Sequence, residues 1–163
     1  MNLDDKDEVL AIVQASAGRR VLGVGCLVFL GVLLIYMAVA RPPALQWQVF
    51  LIVVGASALW CADAMRRATA SRIELTPEML RDADGTMIAL VDEIEGIDRG
   101  FFAFKPSNGF LLKLTSAEGR AWRPGLWWRM GKRVGIGGMT PGSQTKFMSE
   151  ALVMLQALKN PQA

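Results

Sequence analysis

Two regimes of hydrophobic patterning divide the chain. Residues 21–40, VLGVGCLVFLGVLLIYMAVA, contain no charged side chain, and residues 44–62 form a second uncharged stretch. Twenty helical residues at ~1.5 Å rise span ~30 Å, the thickness of a bilayer's hydrocarbon core. Twelve of the twenty are Val, Leu, Ile or Phe; at roughly −0.3 to −0.6 kcal/mol each, insertion gains at most ~4–7 kcal/mol. The second segment, about 44–65, has a shorter apolar core at 49–62. Trp47 and Trp60 sit near its ends, where interfacial indoles are enriched. Asp63 precedes Arg66 and Arg67 by three and four residues, so it can pair with them on one helix face. With Arg41-Pro42-Pro43 between the two runs, the pattern predicts a transmembrane helical hairpin over 21–65, its spans at 21–40 and about 44–65.

After Arg72 the period shortens. Residues 72–76 alternate as a half-buried strand does. Residues 78–83 and 86–91 flank Asp84-Gly85, a dipeptide favoured in two-residue type I′ hairpins because Gly accepts positive φ. Further strands are predicted at 94–104, 110–115, 120–123 after a turn at Glu118-Gly119, and 132–139. A closing helix over 141–159 has Thr140 to cap it, Pro141 at its first position and an apolar stripe of Phe147, Ala151, Leu155 and Leu158. The expected fold is a membrane α-helical hairpin plus an α+β domain at 66–163. In that domain about seven antiparallel strands form a sheet or barrel closed by a C-terminal amphipathic helix.

Residues 1–20 are read as a short cytoplasmic amphipathic helix, with Val9, Leu10, Ile12 and Val13 after an acidic first turn. Arg19 and Arg20 precede the first span, Arg66, Arg67 and Arg72 follow the second, and only Arg41 lies between. The bias toward basic cytoplasmic flanks puts both termini in the cytoplasm of a bacterial inner membrane. Ala38-Val39-Ala40 looks like a signal-peptidase site. The apolar run is longer than a signal's 7–15 residues, however, and Asp4, Asp5, Asp7 and Glu8 precede it, so an uncleaved anchor is expected.

Composition adds little until it is located. The 163 residues are 52% apolar and 20% charged, and the apolar excess lies in the two runs. Cys26 and Cys61 both fall inside them and are read as small apolar helix residues rather than a disulfide or zinc ligands. Histidine is absent, which removes the commonest general base and metal ligand. No metal or cofactor is expected.

Ile73-Glu-Leu-Thr-Pro-Glu-Met-Leu-Arg81 is similar to the opening strand and turn of the domain in bacterial pleckstrin-homology-like membrane proteins, and residues 89–97, where a strand enters an acidic turn, are a second match to that family. With the element order, the chain resembles that family over roughly residues 20–160. The resemblance implies a PH-like sheet with a binding surface and no shared catalytic residues; lipid binding by eukaryotic namesakes is analogy only.

The most unusual segment is RAWRPGLWWRMGKR at 120–133, with five cations, no acid and three tryptophans. Arg120, Arg123, Arg129, Lys132 and Arg133 could contact anionic headgroups, with Trp122, Trp127 and Trp128 at the interfacial level. The competing readings are tryptophans filling the core beside a solvated basic edge, or a protein interface, where Trp and Arg are also enriched. The Gly-rich stretch 134–142 satisfies neither the Rossmann nor the P-loop pattern and reads first as a flexible or closely packed β-edge. Asp92, Glu93, Glu95 and Asp98 read as a solvated acidic turn. Arg19, Arg20, Trp47, Asp63, Arg66 and Arg67 are assigned to the membrane interface.

The function expected is that of a non-enzymatic inner-membrane accessory or scaffolding protein. Its domain would bind a membrane protein complex, a second copy or anionic lipid. Gly55, Ala56, Ser57 and Ala58 offer the hairpin a small-residue packing face. The alternative is a membrane-surface enzyme using 134–142 as an anion site. Nucleic acid is disfavoured, because residues 66–163 hold 14 basic and 10 acidic residues, a net of only +4.

Overall fold

The structure, a computed structural model, describes residues 8–100 and 106–159. The chain divides into a helical unit, Ala17–Arg67, and a sheet unit built from Met1–Ser16 and Ala68–Ala163.

In the helical unit, α1 (Ala17–Ala40) and α2 (Leu45–Ala68) follow the two apolar runs, each continued by a turn at its outer end. Both are long and apolar enough to cross a membrane. They meet at glycines. A Cβ on Gly31 would lie 2.8 Å from the Gly55 carbonyl oxygen, and one on Gly55 would lie 2.9 Å from that of Gly31. The missing side chains let the backbones touch, as in small-residue membrane packing. Ala38 and Ala58 are buried in the same seam. Gly55 and Ala58 of the expected packing face are thus used inside the pair, while Ala56 and Ser57 point outward. Near the turn, Gln48 Nε2 donates to the Ala38 carbonyl at 3.1 Å.

The sheet unit corrects the reading of the N-terminus. Residues 11–14 form a strand, β1 (Ala11–Gln14), not part of an amphipathic helix. Val9, Leu10, Ile12 and Val13 satisfy helical spacing, but Ala11 and Val13 alternate with Ile12 and Gln14 equally well, and the open edge of the next strand supplies the backbone partners that decide it. β2 (Arg72–Leu75), β3 (Met79–Asp82) and β4 (Met87–Leu90) complete an antiparallel sheet in the order β1-β2-β3-β4. The β3–β4 link is a three-residue loop rather than a type I′ turn. Gly85 has φ +86° while Asp84 does not take a positive φ, and Asp82 N bonds the Thr86 carbonyl at 2.8 Å.

After a one-turn 3₁₀ segment at Val91–Glu93, β5 (Ile94–Asp98), β6 (Phe110–Arg123) and β7 (Trp127–Ile136) form a second antiparallel sheet in that order. Residues 101–105 of the expected 94–104 strand lie outside the described residues. The separate strands expected at 110–115 and 120–123 are one 14-residue strand. Glu118-Gly119 is a bulged stretch of that strand and not a turn, because the ladder shifts register between Lys113 and Glu118 and again before Ala121. The chain therefore has seven described strands in all, split four and three, and they do not form one closed barrel.

α3 (Gly142–Lys159) covers the sheets. Its buried stripe is Thr145, Met148, Ser149, Leu152 and Leu155. That stripe is about 100° round the helix from the expected one, the angle of one residue. Leu155 is shared, but Phe147 and Leu158 are 59% and 57% exposed. The core joins Val13, Ile73, Leu80 and Ile88 of the first sheet to Phe110, Leu112, Trp127 and Val134 of the second and to Met148 and Leu152 of α3.

Candidate functional site: the β6–β7 face

The β6–β7 hairpin is curled until its tip meets the chain that follows it. Gly125, at φ +82°, makes the tip. Gly137 N then donates to the Leu126 carbonyl, and Met139 N to the Gly125 carbonyl, each at 2.9 Å. Glycines allow this closure. A Cβ on Gly135 would sit 2.4 Å from the Trp128 indole, so Trp128 lies flat on Gly135. A Cβ on Gly138 would sit 3.0 Å from the Gly125 carbonyl oxygen. The Gly-rich stretch is therefore a closely packed edge. The amides of 137, 138 and 139 all donate to backbone carbonyls, those of Leu126, Ser107 and Gly125, which leaves none of the three to hold an anion.

Period two along the hairpin sends the eight cationic and aromatic residues of 120–133 to different tasks. Trp127 is 1% exposed and lies in the core. Its Nε1–H donates to Asp82 Oδ2 at 2.9 Å. Asp82, itself fully buried, also accepts from the Ser71 hydroxyl and has Arg123 Nε 3.9 Å away. Arg123 Nη2 bonds Asp84 Oδ2 at 2.5 Å. The Thr86 hydroxyl and amide, followed by the Arg123 guanidinium, hold the Asp84 carboxyl below the usual carboxylate range. Arg129 ties the sheets together. Its Nε donates to the Gly119 carbonyl in the bulge at 2.8 Å, and its Nη1 to the Met87 and Ile88 carbonyls on the open edge of β4 at 3.1 and 2.9 Å. Backbone acceptors that would otherwise need water are met by one planar cation.

What remains faces solvent. Arg120, Lys132 and Arg133 are exposed and make no ion pair among the described residues. Trp122 is 57% exposed, opposite the half-buried Trp128 in the ladder, and Met130 is 59% exposed. Arg120, Trp122, Trp128, Met130 and Arg133 line an open groove of about 640 Å³ together with Ala121 and Arg129. A smaller cleft of about 300 Å³ lies between Trp122, Trp128 and the glycines 137 and 138. Met130 is the member that the sequence did not single out; its position two residues after Trp128 on a strand, hence on the same face, was the available signal.

The acidic residues expected to share a turn lie on the 3₁₀ segment and β5, and the carboxylates of three of the four have partners. Asp92 bonds Lys159 at 2.8 Å, Glu95 bonds Lys113 at 3.0 Å, and Asp98 accepts from the Gly100 amide at 2.7 Å. Among the described residues no group of three or more His, Cys, Asp or Glu could hold a metal ion. In the helical unit Asp63 bridges Arg66 at 2.9 Å and Arg67 at 2.7 Å, as the spacing predicts. Arg20 Nη2 reaches the Arg66 carbonyl at 3.5 Å, Arg19 is exposed, and Trp47 is exposed with its ring edge against Phe50. Comparison with protein-family models, curated proteins and solved structures finds no match to this chain.

Proposed function

We propose that this chain is a membrane-anchored accessory protein without catalytic activity, with a PH-like sheet domain that uses its β6–β7 face as a contact surface for a membrane protein complex or anionic lipid. The observation that carries this reading is the segregation on the hairpin. Arg120 and Arg133, which make no ion pair among the described residues, line one groove with an exposed indole and an exposed methionine, Lys132 is exposed next to Arg133 in sequence, and the neighbouring cations and indole are engaged inside the fold.

Exposure supports the anchor. Only 11% and 17% of the most apolar windows of α1 and α2 are buried, and lipid solvates such surface where water does not. The connectivity supports a hairpin that crosses twice. β1 precedes α1 and β2 follows α2, yet the two strands pair, with Gln14 opposite Arg72. One folded domain cannot lie on both sides of a bilayer, so the segments before and after the helices share a compartment. Arg19, Arg20, Arg66 and Arg67 at that end, against Arg41 at the other, favour the cytoplasmic side of a bacterial inner membrane. Near an anionic surface each such cation adds about 1 kcal/mol.

The test is photo-crosslinking of the full chain in its native membrane, with the reactive residue at position 120, 122 or 130 and a control at Ser143 on the start of α3. Adducts to lipid or to one protein at the hairpin positions and not at Ser143 are the expected result. Equal labelling at all positions overturns the contact surface.

A further inference from the structure

Within the sheet unit, the two ends that continue into the helices, residues 15–16 and 69–71, lie by the tip of the β6–β7 hairpin or by residues bonded to it. On one side, Ser16 N donates to the Met139 carbonyl at 2.8 Å, and Met139 N donates to the Gly125 carbonyl at 2.9 Å. On the other, a Cβ on Gly125 would lie 3.0 Å from Thr69 Cγ2, and the Ser71 hydroxyl donates to the same Asp82 carboxylate that holds Trp127. Only residues 15–16 and 69–71 separate the strands from the apolar helices. The tip is therefore linked to Ser16 through the Met139 backbone and lies against Thr69, and Trp122 and Trp128 are the first cross-strand pair beyond it after Arg123 and Trp127.

Building on the contact surface proposed above, we propose that its partner is the anionic surface of the bilayer in which the same chain is anchored. Arg120, Lys132 and Arg133 are its headgroup contacts, and Trp122 and Met130 its interfacial apolar contacts. Three features favour lipid over a protein. The free charge of the groove is of one sign. Its exposed apolar residues are an indole and a thioether, an indole being suited to the headgroup level. The tethers, which lead within two or three residues to the apolar helices, guarantee a bilayer at high effective concentration, whereas a protein partner has to be supplied. Arg123, Arg129 and Trp127 take no part, because their polar atoms are engaged inside the domain.

The experiment uses the full chain carrying Trp47→Phe and Trp60→Phe, reconstituted in nanodiscs of brominated phosphatidylcholine with or without phosphatidylglycerol. Buried Trp127 contributes a constant background, and the readout is quenching of the remaining indole emission. Quenching should rise with phosphatidylglycerol, fall as salt screens the cations, and disappear in Arg120→Glu/Lys132→Glu/Arg133→Glu with the circular dichroism unchanged. Trp122→Phe should remove most of it. Equal quenching in the two lipids, or indifference to the triple reversal, overturns the proposal. If a co-purifying protein protects positions 120, 122 and 130 from crosslinking regardless of lipid charge, the lipid assignment fails while the contact surface stands. If neither lipid nor protein meets these positions, both fail.

Discussion

Trp127 and Trp122 are five residues apart and should respond very differently to the same substitution. Trp127→Phe keeps an aromatic ring in the core but removes the donor to Asp82 Oδ2. A buried carboxylate left short of a donor costs about 1–3 kcal/mol, read as a lower denaturation midpoint of the full chain in detergent by near-ultraviolet dichroism. Trp122→Phe should stay within about 0.5 kcal/mol of wild type, as exposed substitutions do, because its ring is 57% exposed. Among the cations, Arg129→Lys should lose about 1.5–3 kcal/mol despite keeping the charge, since an ammonium cannot bond the Gly119, Met87 and Ile88 carbonyls from two nitrogens at once. None of this was legible in RAWRPGLWWRMGKR. Strand alternation assigns faces only while the ladder is regular, and the register shift between Glu118 and Ala121 sets which parity points inward. Glu74 gives a test in pH. Hydrogen bonding from Arg72, then from Arg81, holds its carboxyl below the ordinary glutamate value against the opposing effect of burial. A depressed folded value means that the native state binds the proton less readily than the unfolded chain does. The stabilisation is complete above the unfolded pKa, about 4.3, and is lost as pH falls through the folded value. Glu74→Gln should therefore lower stability at neutral pH and flatten its decline below about pH 4.3.

Helices α1 and α2 were legible as elements because runs of twenty and nineteen uncharged residues admit little else, and β2 to β4 because alternation and a glycine turn agree there. β1 was missed because four residues carry both periods and only the long-range partner, β2, chooses between them. The helix–helix seam shows the same limit: a row of small residues at 55–58 is visible in the sequence, but which of them meet Gly31 depends on rotation about the axis. Gly31→Leu should push α1 and α2 apart, because a side chain there meets the Gly55 carbonyl and Leu59, whereas Gly25→Leu, with nothing within 4 Å of its Cβ, should be tolerated. Cross-linking yield between cysteines placed at 38 and 48, which meet across the pair near its turn, should drop in the first variant and hold in the second, with Cys26 and Cys61 replaced by alanine in both. Equal yields would mean that the glycine contact does not set the helix spacing.

At the scale of the molecule, the sheet unit is interrupted by the helical unit rather than appended to it. Val13 and Ala11 are core residues contributed from before the first helix, and Leu10 N reaches the Leu75 carbonyl at 2.8 Å. A fragment beginning at Ala68 lacks β1. It leaves one edge of β2 without partners and uncovers Ile73 and Leu75, the combination that leads to aggregation. Antiparallel pairing of Gln14 with Arg72 also means that the helices occupy the place of a hairpin loop. Replacing residues 17–67 by a short Asn-Gly loop should therefore join β1 to β2 directly and give a folded, soluble domain. The fragment 68–163 should precipitate or show collapsed amide dispersion in the same buffer. A well-dispersed spectrum from that fragment would mean that β1 is an accessory to a sheet already complete without it. The residues before α1 would then be free of the side occupied by those after α2, because a strand that can leave the sheet does not hold them there.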